Sequence, residues 1–281
     1  MSVTELYMNG GRRHDALTRA YATCLSGCPD PQSHFETVRN KEVANTIQGA
    51  ANFKYDLGIG TWWQDLGSNP ALYIYRSHMK FPVPAGTSTS GMTATLKIYV
   101  RSDNYSNNGI DMTSSPAVSR FSPIATLINA PITMPDLQVF GQQSFGNTLN
   151  TTTFKKMYSQ FTDAYSSQVS GITSTGGWLE ISLNADALRD IESAAGDYIH
   201  ICIREYSHDV ANSEPDFSNR ENVAYFAQIA NNEDPTYKPR LVIAPAGFNH
   251  NLIGLAKSSI SKVNDISMAS PQQIEKINDI H

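Results

Sequence analysis

Residues 93–100 (TATLKIYV) decide the fold class. Leu96, Ile98 and Val100 lie at every second position, and a lysine and a tyrosine lie between them. Successive side chains of a strand point to opposite faces, so this alternation is typical of a half-buried β-strand. Residues 177–183 (GWLEISL) repeat the pattern, with leucine and isoleucine alternating with tryptophan, glutamate and serine.

Other segments extend the β pattern along the chain. Asn184 is predicted to cap a short helix over residues 185–193. The aromatic spacing in residues 154–166 fits a helix or an irregular strand, and short strands are expected in residues 123–135 and 140–153. Further strands are predicted for residues 73–81, 198–205, 222–229 and 238–243. About eight to ten strands without βαβ alternation favour an all-β, antiparallel β-sandwich of jelly-roll type with short helices.

The two ends of the chain differ from this β pattern. Residues 1–45 are interpreted as an N-terminal arm, with two helical turns expected at residues 14–21 and a proline-rich turn after them. Residues 46–247 then form the β-sandwich domain, and residues 248–281 form a C-terminal repeat tail.

The tail contains the same heptapeptide pattern twice. ISKVNDI at residues 260–266 recurs as IEKINDI at residues 274–280. Each buried isoleucine or valine contributes about 1.5–3 kcal/mol, so six such side chains are too many to leave in water. We therefore expect these side chains to dock on the protein's own sandwich or on a neighbouring subunit, with assembly contacts through Ile260, Val263, Ile266, Ile274, Ile277 and Ile280.

Composition argues against several classes of protein. The chain has 281 residues and a formal net charge of −5, which disfavours nucleic acid as a partner. No apolar run approaches the roughly 18 residues of a membrane span, and the start lacks the apolar region of a secretory signal, so no membrane partner is expected. The three cysteines do not make a disulfide framework, which suggests assembly in a reducing compartment.

Candidate metal ligands near the N-terminus are Cys24 and Cys28, with His14 and His34 nearby. Zinc sites of this type need a second closely spaced pair, whereas these histidines lie 20 residues apart. Thiols without a metal are therefore the favoured interpretation. Acidic loop residues offer oxygens for calcium but lack the spacing of an EF-hand loop, so solvated turns are favoured for Asp103, Asp111, Asp209, Glu214 and Asp216.

A catalytic site is not predicted. The chain has no G-x-S-x-G, H-E-x-x-H or Walker A motif. His200 shares one strand face with Cys202, whereas Glu205 lies on the other, which divides a possible acid–base cluster that would include His208 and Asp209. The protein is accordingly expected to be no enzyme and to need no metal or cofactor.

Four aromatic residues are candidates for binding a carbohydrate: Trp62, Trp63, Tyr73 and Tyr75. Sugars stack their apolar faces on exposed aromatic rings, so these side chains would have to be exposed. The alternative is that they lie in the core or at a subunit interface, which tryptophan favours. The alternative is preferred on the sequence alone.

Three segments within about residues 73–244 resemble the DNRLRE-type β-sandwich domain. They are ALYIYRSHMKFPVPAGTSTSGMTATLKIYV, then GWLEISL with its short helix, and FSNRENVAYFAQIANNEDPTYKPRLVI. The tail repeats, of the form I-x-K-[VI]-N-x-[IV], resemble the ends of bacteriophage virion proteins. The first resemblance implies a carbohydrate-binding or structural module without catalysis, and the second implies a component of a phage particle.

Two functions follow as expectations. The first is a non-enzymatic structural component of a bacteriophage virion, such as a capsid decoration or cement, neck, tail or fibre-associated protein. It would be assembled in the host cytoplasm, form a homo-oligomer, and be anchored to other virion proteins through arm and tail. The alternative is a carbohydrate-binding adhesin module that recognises glycans of the host surface.

Overall fold

The fold is described from a computed structural model. It describes residues 3–8, 15–23, 30–49, 56–64, 71–101, 132–143, 158–173, 175–216, 223–232 and 234–246. The chain divides into a first unit, Met1–Pro245, and a second unit, Ala246–His281. The tail of residues 248–281, with all six predicted assembly residues, lies outside the described residues.

The first unit consists mainly of strands. Its helical elements are α1 (Pro31–Arg39), α2 (Ala185–Ser193) and a π-helical turn (Tyr206–Val210). Its strands are β1 (Thr4–Tyr7), β2 (Asp15–Thr23), β3 (Thr46–Gly49), β4 (Asp56–Gln64), β5 (Ala71–Pro82), β6 (Met92–Val100), β7 (Ile132–Thr133), β8 (Leu137–Gln143), β9 (Asp163–Ala164), β10 (Gly177–Leu183), β11 (Tyr198–Glu205), β12 (Val223–Ala230) and β13 (Arg240–Pro245). No helix in the described part of the chain is long and apolar enough to cross a membrane.

The strands form a sandwich of two layers around one main core. One layer has the order β1-β13-β6-β10, and the other runs β12-β4-β5-β11-β8-β9, with β2 and β3 attached at β5. Between β12 and β6 the register pairs only Ile229 with Val100. All these pairings are antiparallel, and the short β7 lies parallel to β12. The predicted all-β sandwich is therefore confirmed.

Strands β6 and β10 show why the layers have an inner and an outer face. Their register pairs Leu96 with Ile181, and both side chains are buried in the core. One residue along, Lys97 lies opposite the exposed Glu180 on the outer face, and its Nζ donates to Oε1 at 2.6 Å. The alternation predicted for both segments is confirmed.

Strand β5 is buried on both faces. Tyr75 and Met79 point into the main core, whereas Leu72 and Ile74 belong to a second apolar cluster. Helix α1 covers that cluster with its buried Phe35 and Val38. A sandwich with one core would leave this face in water, and the helix removes it from solvent.

The described part of residues 1–45 is built into this fold. Strand β1 pairs with β13, and β2 pairs with β5 along nine residues. The prediction of helical turns at residues 14–21 is wrong, because Asp15–Thr23 forms this strand. Helix α1 begins after Asp30: the Asp30 carboxylate accepts from the N–H of Ser33 at 3.0 Å, and Pro31 occupies the first turn, where its missing N–H costs nothing.

Helix α2 follows the predicted boundaries. Asn184 Oδ1 accepts from the N–H of Ala187 at 3.0 Å, and Ala187 and Ile191 are buried in the main core. In residues 154–166, by contrast, neither alternative holds over the described part, which has a helical turn at residues 158–160 and the short strand β9.

Candidate functional site

The four aromatic residues singled out for carbohydrate binding are buried. Trp62, Trp63, Tyr73 and Tyr75 expose at most 8% of their surface. Trp62 stacks on Tyr73 with ring centroids 4.9 Å apart, and Tyr75 meets Phe226 edge-on at 5.4 Å. These rings have no face open to a sugar, so they belong to the core, as the alternative interpretation held, and the glycan interpretation of these residues needs correction.

An aromatic cluster does reach solvent, on the outer face of the β1-β13-β6-β10 layer. We call it the aromatic platform, and it consists of Tyr99, Trp178 and Tyr237. The rings of Tyr99 and Tyr237 stack with centroids 3.8 Å apart and planes inclined by 21°. Trp178 lies close to perpendicular to Tyr99 at 5.6 Å, and its centroid is 6.2 Å from that of Tyr237. Side chains from β6, from β10 and from the turn before β13 thus meet at one surface, although these segments are distant in sequence.

Strand register and one turn place these three rings. The β6–β10 register sets Tyr99 directly opposite Trp178. Tyr237 precedes β13 in a turn in which Asp234 Oδ1 accepts from the N–H groups of Thr236 and Tyr237, both at 2.8 Å. A side chain that bonds to the backbone two or three residues ahead fixes a turn of this kind. The position of Tyr237 is therefore set before any ligand binds.

Two guanidinium groups pack against the aromatic platform. Arg101 lies 5.7 Å from the ring centroid of Tyr99 and 5.6 Å from that of Tyr237. Arg240 lies 5.0 Å from the ring centroid of Trp178. Cations over aromatic faces are attracted by the ring quadrupole, which holds the rings in place.

Three cations near the aromatic platform, Arg101, Arg240 and Lys97, are each paired with an acid. Burial alone would raise the pKa of Asp234, but the N–H groups of Tyr237 and Thr236 and the guanidinium of Arg101 outweigh it and lower the pKa. Asp234 therefore remains an anion at neutral pH. The three ion pairs are Arg101–Asp234, Arg240–Glu5 with Nη1 and Oε2 3.5 Å apart, and Lys97–Glu180 with Nζ and Oε1 2.6 Å apart.

The exposure of Trp178 distinguishes this surface from the rest of the described chain. The residue keeps 41% of its surface exposed. The large hydrophobic residues exposed in the described ranges are Val3, Tyr7, Val43 and Trp178. Tyr7 lies on the same face, since the register pairs it with Arg240. An exposed ring supported by immobile neighbours offers an apolar surface to a flat ligand at little cost in side-chain entropy.

A buried polar cluster is the other candidate in the described chain, and its bonds are internal. Asp209 is ion-paired with Arg76 and Arg204 and has no exposed surface, so the prediction that it lies in a solvated turn is wrong. The Glu205 carboxylate, also without exposed surface, accepts from Thr61 Oγ1 at 3.0 Å and from two backbone N–H groups. Both acids are fully engaged by the protein, so this cluster stabilises the fold and offers no group to a substrate.

The structure describes only part of the residues considered, and not favoured, as metal ligands. His34 Nε2 lies 3.3 Å from the carbonyl oxygen of Ala22, whereas His14, Cys24 and Cys28 lie outside the described residues. Asp103 and Asp111 also lie outside them. Within the described ranges no group of three histidine, cysteine or acidic side chains could hold a metal ion.

Sequence reasoning missed the aromatic platform although it contained part of the signal. The alternation of residues 93–100 and 177–183 already separates Tyr99 and Trp178 from the buried positions. The local alternation does not show that the two segments are neighbouring strands, because strand pairing depends on contacts between residues far apart in the chain. Tyr237 and Arg240 had no pattern to distinguish them, because their places depend on a turn and on the register with β6.

Comparison with known proteins adds little to this description. No family model and no curated protein matches the chain. Among solved structures, the chain is similar to the K1 cleaved adhesin domain of Lys-gingipain from Porphyromonas gingivalis W83, with 8% identity and a TM-score of 0.24. That alignment covers 86% of this chain and 98% of the other. At this TM-score the likeness carries no argument about fold or function.

Proposed function

We propose that the protein is a non-enzymatic glycan-binding module and that the aromatic platform is its binding site. The observation that carries the proposal is the exposed Trp178, held among Tyr99, Tyr237 and Arg240 on a sheet face that also carries charged side chains. Large exposed apolar groups rimmed by polar residues mark interaction sites. The apolar face of a sugar ring stacks on such a surface, and its hydroxyl groups bond to the polar rim.

The chemistry of the rim supports binding without catalysis. General acid–base catalysis needs a carboxyl group poised to exchange protons near neutral pH. Here the pKa of Asp234 is lowered, and Glu180 and Glu5 are paired with cations. The carboxylates of the rim can accept hydrogen bonds from the hydroxyl groups of a sugar.

A glycan array with three variants tests this proposal. Trp178→Ala removes the stacking surface and is expected to weaken binding about tenfold or more, since aromatic residues at the centre of an interface dominate its affinity. Trp178→Phe keeps a ring and is expected to retain most of the affinity. Val43→Ala removes an exposed apolar side chain that is remote in sequence and is expected to change nothing.

Two results would overturn the proposal. One is the absence of glycan binding by the folded wild-type protein across neutral, acidic and amino sugars. The other is binding by Trp178→Ala at wild-type strength, which would place the site elsewhere. Circular dichroism of each variant excludes unfolding as the cause of a loss.

A second proposal is that the chain is a structural component of a bacteriophage virion, assembled with further copies of itself and other virion proteins. Its support is the equal length and pattern of ISKVNDI and IEKINDI in residues 260–280. Repeated units bury their apolar positions by packing on one another or on a partner. The two proposals are compatible, because a protein on the surface of a particle can also bind glycans.

Mass spectrometry of purified particles tests the virion proposal, and absence of the chain from the particles would contradict it. Deleting residues 250–281 is expected to leave a folded sandwich that no longer enters particles. Normal incorporation of that truncated protein would contradict the assembly role of the six apolar tail residues.

A further inference from the structure

We infer that the aromatic platform selects neutral glycans over glycans that carry carboxylates, an inference that rests on the proposed function. Three cations lie near the three rings, which by itself would favour an anionic ligand. Each of these cations is neutralised by a carboxylate of the protein, in the pairs Arg101–Asp234, Arg240–Glu5 and Lys97–Glu180.

In the first pair, Arg101 is not available to bind an anionic ligand. The side chains of Arg101 and Asp234 are only 11% and 8% exposed. Arg101 is held between this carboxylate and the rings of Tyr99 and Tyr237. Pulling the guanidinium toward a ligand would leave the charged, largely buried Asp234 carboxylate without its counter-ion, which is costly. Arg101 is therefore a support of the aromatic platform and not an anion receptor.

The other two pairs expose their acids more than their bases. Glu180 exposes 48% of its side chain and Lys97 only 12%. Glu5 exposes 38% and Arg240 exposes 28%. Within these two pairs the charges that face solvent are thus mainly negative, although each pair is neutral as a whole. A ligand carboxylate would approach carboxylates first, and like charges brought together at an interface are strongly unfavourable.

The same carboxylates suit a ligand with hydroxyl groups. Glu180 lies two residues from Trp178 on one face of β10, so an O–H group of a stacked sugar can donate to it. Hydrogen bonds to ionised acceptors are stronger than those between neutral groups. The ion pair with Lys97 already orients this carboxylate, so little ordering remains to be done on binding.

The experiment compares matched sugars on one array. Hexasaccharides of glucose, galactose and mannose are printed beside hexasaccharides of the corresponding hexuronic acids. In each acidic sugar a carboxylate replaces the C6 hydroxymethyl group of the neutral one. The wild-type protein is expected to bind a neutral member at least about tenfold more tightly than its acidic counterpart. The neutral sugar carries no charge that salt could screen. Its affinity should therefore hardly change between about 0.05 and 0.5 M salt.

A variant separates charge selection from simple shape. Glu180→Gln keeps the size of the side chain and a hydrogen-bonding oxygen but leaves Lys97 without its anion. This change is expected to raise the affinity for the hexuronic acids about threefold or more at low salt. The ratio between the affinities for the neutral and the acidic sugars should therefore fall. Ser182→Ala, on the same exposed face of β10, serves as the matched control without a charge change.

The outcomes distinguish this inference from the proposed function. Equal or tighter binding of the hexuronic acids, weakened by salt, would overturn the selection of neutral glycans while the platform remained a glycan site. An unchanged ratio of neutral to acidic affinity in Glu180→Gln would also overturn the inference, because the charge of Glu180 would then not cause the selection. Failure of every sugar to bind would overturn the proposed function and this inference together.

Discussion

Asp209 is the residue on which the buried polar cluster depends. Its Oδ2 accepts from Arg76 Nε at 2.7 Å and from Arg204 Nε at 3.0 Å. Burial alone would raise the pKa of Asp209, but the two guanidinium groups outweigh that effect and hold the pKa well below its usual range. The carboxylate is therefore charged at neutral pH, and its removal leaves two poorly hydrated cations facing each other.

We expect Asp209→Asn to lower the free energy of unfolding by about 3–5 kcal/mol, the usual cost of breaking a buried ion pair by removing one partner. Urea unfolding followed by circular dichroism measures the change. Asp186→Asn is the matched control, because Asp186 and Arg189 form an ion pair in solvent on helix α2. The free energy of unfolding of the control should equal that of the wild type within error. A loss of less than about 1 kcal/mol for Asp209→Asn would contradict the role of Asp209 in the buried polar cluster.

At the scale of elements, helix α2 depends on its cap. Asn184 satisfies the N–H of Ala187, and its Nδ2 also donates to the carbonyl oxygen of Ala164 at 2.7 Å, which ties the helix to β9. Asn184→Ala is expected to cost about 1–2 kcal/mol of stability in urea unfolding. Asn184→Asp keeps the capping acceptor and loses the donor, so it should cost less, and equal losses for both variants would show that the cap itself contributes nothing.

The packing of β8 against β9 depends on the absence of a side chain at Gly141. A Cβ at Gly141 would lie 1.6 Å from Cε2 of Tyr165, whose hydroxyl donates to Asp190 at 2.7 Å. Gly141→Ala is expected to destabilise the protein by about 2–3 kcal/mol, as overpacking of a core does. In a double-mutant cycle, Gly141→Ala with Tyr165→Ala should cost less than the sum of the single changes, and strict additivity would contradict the clash.

How far the sequence predicts these elements depends on the range of the interactions that form them. The Asn184 cap and the alternation around Trp178 are local, so they can be predicted. Strand β2 could not be, because Asp15–Thr23 is held as a strand by its pairing with β5, which overrides local preference. The same limit explains why the aromatic platform was missed and why Trp62, a buried residue, was a candidate: exposure of a ring depends on what packs over it.

For the whole molecule, two buried histidines make stability sensitive to acid. Burial lowers the pKa of His78 to about 3, with Arg76 adding to the effect, and burial with Lys80 lowers that of His200 to about 4. In the unfolded chain both titrate near 6.5. Below that pH the unfolded state binds protons that the folded state does not, so the free energy of unfolding falls as the pH falls.

Between pH 7 and about pH 5.5 the loss should be about 2.5 kcal/mol from these two residues together, measured by urea unfolding at each pH. His78→Gln keeps a side chain able to bond Thr18 Oγ1, which lies 2.8 Å from His78 Nε2, and removes one proton site. The loss of stability between pH 7 and about pH 5.5 should be smaller in the variant than in the wild type by the contribution of one histidine, whatever its absolute stability. An undiminished pH dependence would exclude His78 as a cause.

The most direct test of the glycan site uses the three tryptophans of the chain. Trp62 and Trp63 are buried, so acrylamide quenching of tryptophan fluorescence reports mainly on Trp178. A neutral hexasaccharide that the protein binds should, at saturation, remove most of the accessible quenching, because the sugar covers the open indole of the aromatic platform. Quenching that stays unchanged while the same sugar is bound at saturation would show that Trp178 is not at the site, and would contradict the central claim.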